Sequence, residues 1–116
     1  QRGYAKMFLI FYDDALVGVL SFNAIEPANK TGYIGYWLDE GHQGQGILSR
    51  ALQAFMRYYV ESGIVRRFVI KCRVANQNSN NVARRNGFTL EGCLREAEYL
   101  NGRYDDVNLY GRVFPL

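Results

Sequence analysis

GYIGYWLDEGHQGQGILSRALQAFMRYYVES, residues 32–62, decides the fold. Its first part, 32–39, is aromatic and aliphatic and reads as a strand. Its last part, 47–62, carries apolar residues at Leu48, Ala51, Leu52, Phe55, Met56 and Tyr59, the i, i+3, i+4 spacing of an amphipathic helix. Gly63 is a natural stop for that helix. Between them lies the short glycine loop GHQGQG, 41–46. Gly44 and Gly46 permit a sharp strand-to-helix turn and let backbone approach a ligand closely. The helix that follows offers unpaired N–H groups and the positive end of its dipole. That order makes an anion site, for which a pyrophosphate is the natural occupant. A tight turn with no ligand fits the same residues equally well. A dinucleotide fingerprint does not fit, because the third glycine of G-x-G-x-x-G falls on Ser49. A phosphate-binding P-loop is absent, since no Gly-Lys-Ser/Thr follows.

Upstream, residues 4–12 read as a strand, Asp13 to Ala15 as a turn, 16–25 as the hairpin partner, and Pro27 to Lys30 as a loop. Downstream, 67–74 reads as a strand with Phe68, Ile70, Cys72 and Val74 on one face and Lys71 and Arg73 on the other. Asn76 to Ser79 open a short helix that runs to about Asn86 and stops at Gly87. Residues 88–100 and 103–113 are strands joined by Asn101-Gly102, a strong hairpin signal. The order predicts a mixed α/β sheet, of the α+β kind, with crossover helices on either side of strand 67–74.

A chain of 116 residues is one domain, taken here as 1–116. No stretch approaches the roughly 18–20 apolar residues of a membrane helix, and no secretory signal opens the chain. Strand-like sequence starts at Tyr4 behind Gln1, so the chain reads as N-terminally truncated. A net charge of +3 is too mild for a nucleic-acid binder and suits an acidic partner or a polyanionic cofactor. Cys72 and Cys93 are too few for a disulfide framework and lack metal spacing, as reduced thiols in the cytoplasm would. His42 is the single histidine, and nothing local gathers it with the cysteines into a zinc site, so no metal is expected.

Three motifs carry a resemblance to a known family. Gln43-Gly44-Gln45-Gly46-Ile47-Leu48 is similar to the Gln/Arg-x-x-Gly-x-Gly/Ala that opens the central helix of GNAT acetyltransferases, departing at Leu48. Asn76-Gln77-Asn78-Ser79, with Gly87-Phe88 closing the helix, resembles a second signature of that family. Glu91, Gly92, Leu94, Arg95, Asn101 and Gly102 match a third. Together they resemble the RimJ/RimL-like branch. The resemblance implies the GNAT fold, a mixed and mostly antiparallel sheet with helices on its faces, here without the family's first strand and following helices. It implies acetyl-coenzyme A as co-substrate. Backbone groups of Trp37 and Leu38 would hold the pantetheine arm, Gln43 to Leu48 the pyrophosphate with Ser49 adding its hydroxyl, and Asn76 the pantetheine. Core packing is the plainer role for Trp37 and Leu38, and a helix cap the plainer role for Asn76.

Acetyl transfer needs a neutral amine. A free α-amino group has a pKa near 8, so about a tenth is neutral at pH 7, and a base in reach raises that fraction. Glu98 is the favoured base. A two-residue Asn101-Gly102 turn pairs it with Asp105, and two facing carboxylates repel, which raises a carboxyl pKa. A solvated strand carboxylate is the plainer reading. Glu96, Asp39 and Glu40 are weaker candidates. The tyrosine that many GNAT enzymes use to protonate the leaving thiolate falls on Ala83, which leaves Ser79 as acid or as a simple N-cap. Cys72 is either a core thiol or a neighbour of the coenzyme thiol.

The acceptor implied by the resemblance is a ribosomal-protein N-terminus, the serine of the acidic stalk protein. Acetylation of a small amine such as an antibiotic or polyamine is the alternative on the same scaffold. A non-catalytic module binding ribosomal protein or RNA is the rival outside it, and it would need neither the glycine loop nor the Asn-x-x-Ser helix. A homodimer is left open.

Overall fold

The computed structural model describes residues 7–115. Six strands and two helices follow one another as β1 (Met7–Tyr12), β2 (Ala15–Glu26), β3 (Thr31–Leu38), α1 (Ile47–Glu61), β4 (Arg67–Arg73), α2 (Gln77–Arg85), β5 (Thr89–Leu100) and β6 (Arg103–Val113). The sheet order is β1-β2-β3-β4-β6-β5. Among neighbouring strands only β3 and β4 pair in parallel, joined by α1 as a crossover, while α2 crosses from β4 over β6 to β5. The mixed, mostly antiparallel α+β sheet therefore stands as expected. The strand expected over 4–12 is seen from Met7, and its first residues lie outside the described ones.

Glycines and acidic turn residues place the corners. Asp13 and Asp14 both adopt positive φ, 52° and 65°, and close the β1–β2 hairpin. Asn101 and Gly102, at φ 53° and 80°, close the β5–β6 hairpin in the twist that strand pairs favour. Leu100 pairs with Arg103 and Glu98 with Asp105, the register that the Asn-Gly turn dictates.

The core lies between the sheet and α1. The helix buries Ile47, Leu48, Leu52, Phe55, Met56 and Tyr59 along one stripe. Phe22 lies tilted at 4.9 Å from Phe55 and edge-on at 4.8 Å from Tyr59 between ring centroids, and Phe8 meets Phe55 edge-on at 5.2 Å. Gly32 makes room for this cluster, because a Cβ there would run into the Phe22 ring. In β4, Phe68, Ile70 and Cys72 are buried as the alternation predicts. Val74 is not. The strand ends at Arg73, and Val74 is 48% exposed in a turn, its N–H donating to Asp106 O.

One irregularity positions the site. β3 and β4 pair only over Thr31–Arg67, Gly32–Phe68 and Tyr33–Val69, then part. A bulge in β2 between Phe22 and Ala24 lies opposite Tyr33 and Ile34, where the separation begins. Bulges bend a strand and increase its twist. Beyond that point β3 still pairs with β2, and β4 with β6, so each keeps one unpaired edge facing the other across a wedge. A further irregularity is in β5, where the pairing skips between Leu94 and Glu98 and Glu96 adopts φ 49°.

Candidate active site

The wedge between β3 and β4 opens into a cleft of about 610 Å³, closed at its sides by the heads of α1 and α2. The α1 side has no side-chain cap. Its N-cap is Gly46 at φ 76°, and Gly44 stands at φ 79° two residues earlier. The first N–H groups of α1 therefore face the cleft without an acceptor among the described residues, with the helix dipole behind them. A side chain at Gly46 would be strained by its φ and would press on the Arg50 guanidinium at 3.1 Å. The chemistry of this corner, donors without acceptors and no carboxylate lining it, fits a diphosphate.

The α2 side is capped. Asn76 Oδ1 accepts the Ser79 N–H at 3.2 Å. The cap uses the amide oxygen and leaves its NH2 available to the cleft, so capping does not preclude a binding role for Asn76. Ser79 lines the cleft, and its Oγ accepts the Tyr36 hydroxyl at 2.8 Å. Tyr36 is largely removed from solvent, and that burial is the main cause that raises its pKa; the hydrogen bond to Ser79 pulls the other way, and the nearby Cys72 adds to the rise. A phenol in this state stays a donor through the neutral range. Gln43 ties the two sides together, donating to Leu38 O at 3.3 Å and accepting from Asn78 Nδ2 at 3.4 Å.

Trp37, Leu38, Gln43, Gly44, Gly46, Ile47, Leu48, Ser49, Asn76 and Ser79 thus share one cleft. Gln45 does not line it and bonds back to Gly41 O at 3.4 Å. Core packing holds for Leu38, which is 8% exposed, and fails for Trp37, which is 55% exposed. Glu98 lies outside the cleft lining, and so does its partner Arg73. Arg73, which ends β4 three residues before Asn76, places Nε 3.4 Å from Glu98 Oε1 and pairs through Nη2 with Asp105. Arg103 adds a second guanidinium on Asp105 at 3.2 Å. The two carboxylates are therefore bridged rather than bare, and the repulsion expected between them is offset. Asp39 is engaged with His42 Nδ1 at 2.9 Å. Cys72 is buried beside Tyr36, and burial pushes its thiol pKa up; Cys93 is exposed. Among the described residues no group of three His, Cys, Asp or Glu could hold a metal.

Three cleft residues carried no signal read from the sequence. Tyr36 was one aromatic among several in a strand, though alternation puts it on the same face as Ile34 and Leu38. Val82 and Arg85 line the cleft from α2, one turn and two turns past Asn78, and the helical repeat from Asn78 is the signal that reaches them.

A sheet that parts beside an uncapped, glycine-led helix suits an acyl-coenzyme A ligand, and the chain belongs to the GNAT acetyltransferase family, whose domain profile matches residues 1–89. It is 70% identical over 113 residues to the ribosomal-protein-serine acetyltransferase of Escherichia coli (strain K12), covering 97% of this chain and 63% of that protein. The chain thus spans under two thirds of the length of this curated relative. A crystal structure from Salmonella typhimurium, of the acetyltransferase that modifies the N-terminal serine of 50S ribosomal subunit protein L7/L12, matches with TM-score 0.94 at 67% identity, over 97% of this chain and 66% of that one. The RimL ribosomal L7/L12 α-N-protein acetyltransferase in complex with coenzyme A, joined to a cysteine by a disulfide, matches with TM-score 0.93 at 68% identity, over 97% and 63%.

Proposed function

We propose that this chain is the coenzyme-binding part of a cytoplasmic N-α-acetyltransferase that moves acetyl from acetyl-coenzyme A to a ribosomal-protein N-terminal serine. The observation that carries the reading is the cleft itself. An unpaired β3 edge can take an extended pantetheine arm as an added strand, and the glycine-led head of α1 meets the diphosphate at its end. Similarity to enzymes that act on the L7/L12 N-terminus supports the choice of acceptor. We take residues 1–116 as one acetyltransferase domain that works without a metal and without binding nucleic acid or membrane.

In the reaction the neutral amine forms a bond to the thioester carbonyl carbon, the C–S bond breaks, and the departing sulfur takes a proton. Trp37, Leu38 and Asn76 orient the arm, and Gln43 to Ser49 hold the phosphates. Ser79 donates a hydrogen bond to the leaving sulfur. It can do so because Tyr36 donates to its oxygen and leaves the serine proton free. Glu98, which Arg73 holds outside the cleft lining, receives the proton lost by the amine through water.

A panel of peptides with different N-terminal residues, offered with acetyl-coenzyme A, tests the acceptor. Peptides with an N-terminal serine in an acidic context should be acetylated fastest. Equal or faster transfer to polyamines or aminoglycosides would replace this acceptor with a small amine. Cys72, buried beside Tyr36, fits a relative whose cysteine joins coenzyme A.

A further inference from the structure

Behind the α1 head, a row of polar side chains runs from β6 through both helices to Ser49. We propose that Arg112, Gln53 and Asn86 form a directional hydrogen-bond chain that forces the Ser49 hydroxyl to give its proton to the cleft, and that this chain sets the affinity for the diphosphate of a coenzyme A thioester. The inference rests on the cofactor reading above and adds positioning residues to it.

The direction of the chain is fixed from both ends. Arg112 can only donate. Its Nη1 donates to Gln53 Oε1 at 3.3 Å and to Asn86 O at 2.8 Å. The Gln53 oxygen therefore faces the arginine, and its NH2 donates to Asn86 Oδ1 at 3.0 Å. From the other end, one Asn86 side-chain atom lies 2.8 Å from Val82 O. A carbonyl oxygen only accepts, so that atom is the amide nitrogen. Its second hydrogen reaches Ser49 Oγ at 3.1 Å. Both ends give the same orientation of both amides.

Asn86 is 3% exposed, so water cannot easily stand in for these partners while the amide turns over. The Ser49 oxygen is an acceptor toward Asn86, and its single proton must point elsewhere. Ser49 is the third residue of α1 and lines the cleft, and among the described residues its hydroxyl donates to no protein acceptor. That leaves a donor aimed at the place where the free helix N–H groups also point. A diphosphate accepts and never donates, so the difference between a serine that gives and one that receives decides whether Ser49 helps or hinders it. A purely structural network tying α1 to α2 and β6 would be indifferent to that direction.

Gln53→Glu keeps the shape and reverses the chain. Its carboxylate accepts from Arg112 but sets an oxygen against Asn86 Oδ1. Turning the Asn86 amide answers the carboxylate and draws the Ser49 proton inward, while it sets Asn86 Oδ1 against Val82 O, so either orientation weakens the chain. Calorimetric titration should show acetyl-coenzyme A bound about tenfold more weakly by Gln53→Glu, by Ser49→Ala and by the double variant alike. S-acetylpantetheine, which lacks the diphosphate, should bind Gln53→Glu as it binds the parent. Plain charge repulsion from the new carboxylate would persist without the serine and give an additive loss of about a hundredfold in the double variant, which overturns the proposal. Equal weakening of S-acetylpantetheine, or unchanged acetyl-coenzyme A affinity in Gln53→Glu, also overturns it. A parent that does not bind acetyl-coenzyme A would remove the cofactor reading first and the chain with it.

Discussion

In the proposed reaction, Tyr36, Ser79 and Glu98 divide the proton chemistry among three positions. Ser79→Ala should slow the chemical step by about 10- to 1,000-fold with little change in cofactor affinity, in the range for losing one donor to developing charge. A single-turnover rate equal to the parent's would leave Ser79 a helix residue only. Tyr36→Phe should cost less, about tenfold, because the serine keeps its place and loses only its orientation. Burial raises the Tyr36 pKa, so the phenol remains protonated below and somewhat above its usual value of about 10. Turnover should show no alkaline fall belonging to Tyr36 below that value. An alkaline limb near pH 8–9 in the parent that Tyr36→Phe abolishes would contradict this. Glu98→Gln should lower the rate by about 100-fold near neutral pH and by less above about pH 8, where the amine is already neutral. Parallel pH–rate profiles of equal height would move the role to Glu96, Asp39 or solvent. The carboxylate pairing behind Glu98 was legible from Asn101-Gly102. The Arg73 bridge over it was not, because Arg73 and Asp105 meet across 32 positions of sequence.

At the scale of elements, α1 and the β5–β6 hairpin declare themselves through period and turn chemistry. The bulge at Arg95 to Ala97 does not. Glutamate at position 96 gives no warning of the positive φ it adopts, which is held by Asp106 Oδ1 accepting the Glu96 N–H at 2.9 Å. The parting of β3 and β4 is equally silent, since it follows from a bulge in a third strand. The junction of β4 with β5 offers a test of pairing energetics. Arg67 donates to both Glu91 oxygens, at 2.8 and 2.7 Å, across β6 at Gly111, where any Cβ would collide with the carboxylate. The Arg67 hydrogen bonds hold the Glu91 pKa below its ordinary value, against a smaller rise from burial. A depressed carboxyl pKa gives stability that is present above the unfolded-state value of about 4.3 and lost as pH falls through the folded-state value. The pair is nearly a third exposed, so screening limits its worth to about 0.5–1 kcal/mol. Denaturant unfolding of Glu91→Gln should show that deficit at pH about 7 and a smaller one at pH about 3. A deficit that does not change with pH would mean packing, not charge, makes the contribution.

For the whole molecule, the sheet and its two helices serve to hold one wedge open and to aim an uncapped helix into it. A sheet with β3 and β4 fully zipped would leave β3 no free edge for an extended arm. The loop from Gln43 to Gly46 is where that arrangement is most exposed to a single change, because Gly46 needs a left-handed backbone that a β-branched residue strongly disfavours. Titration calorimetry of acetyl-coenzyme A against the parent and Gly46→Val, with circular dichroism to show that both remain folded, tests the cleft most directly. The parent should bind one equivalent with a dissociation constant of about micromolar order, and Gly46→Val should bind at least about tenfold more weakly. A folded parent that takes up no acetyl-coenzyme A, or a Gly46→Val protein that binds it as tightly, would contradict the site.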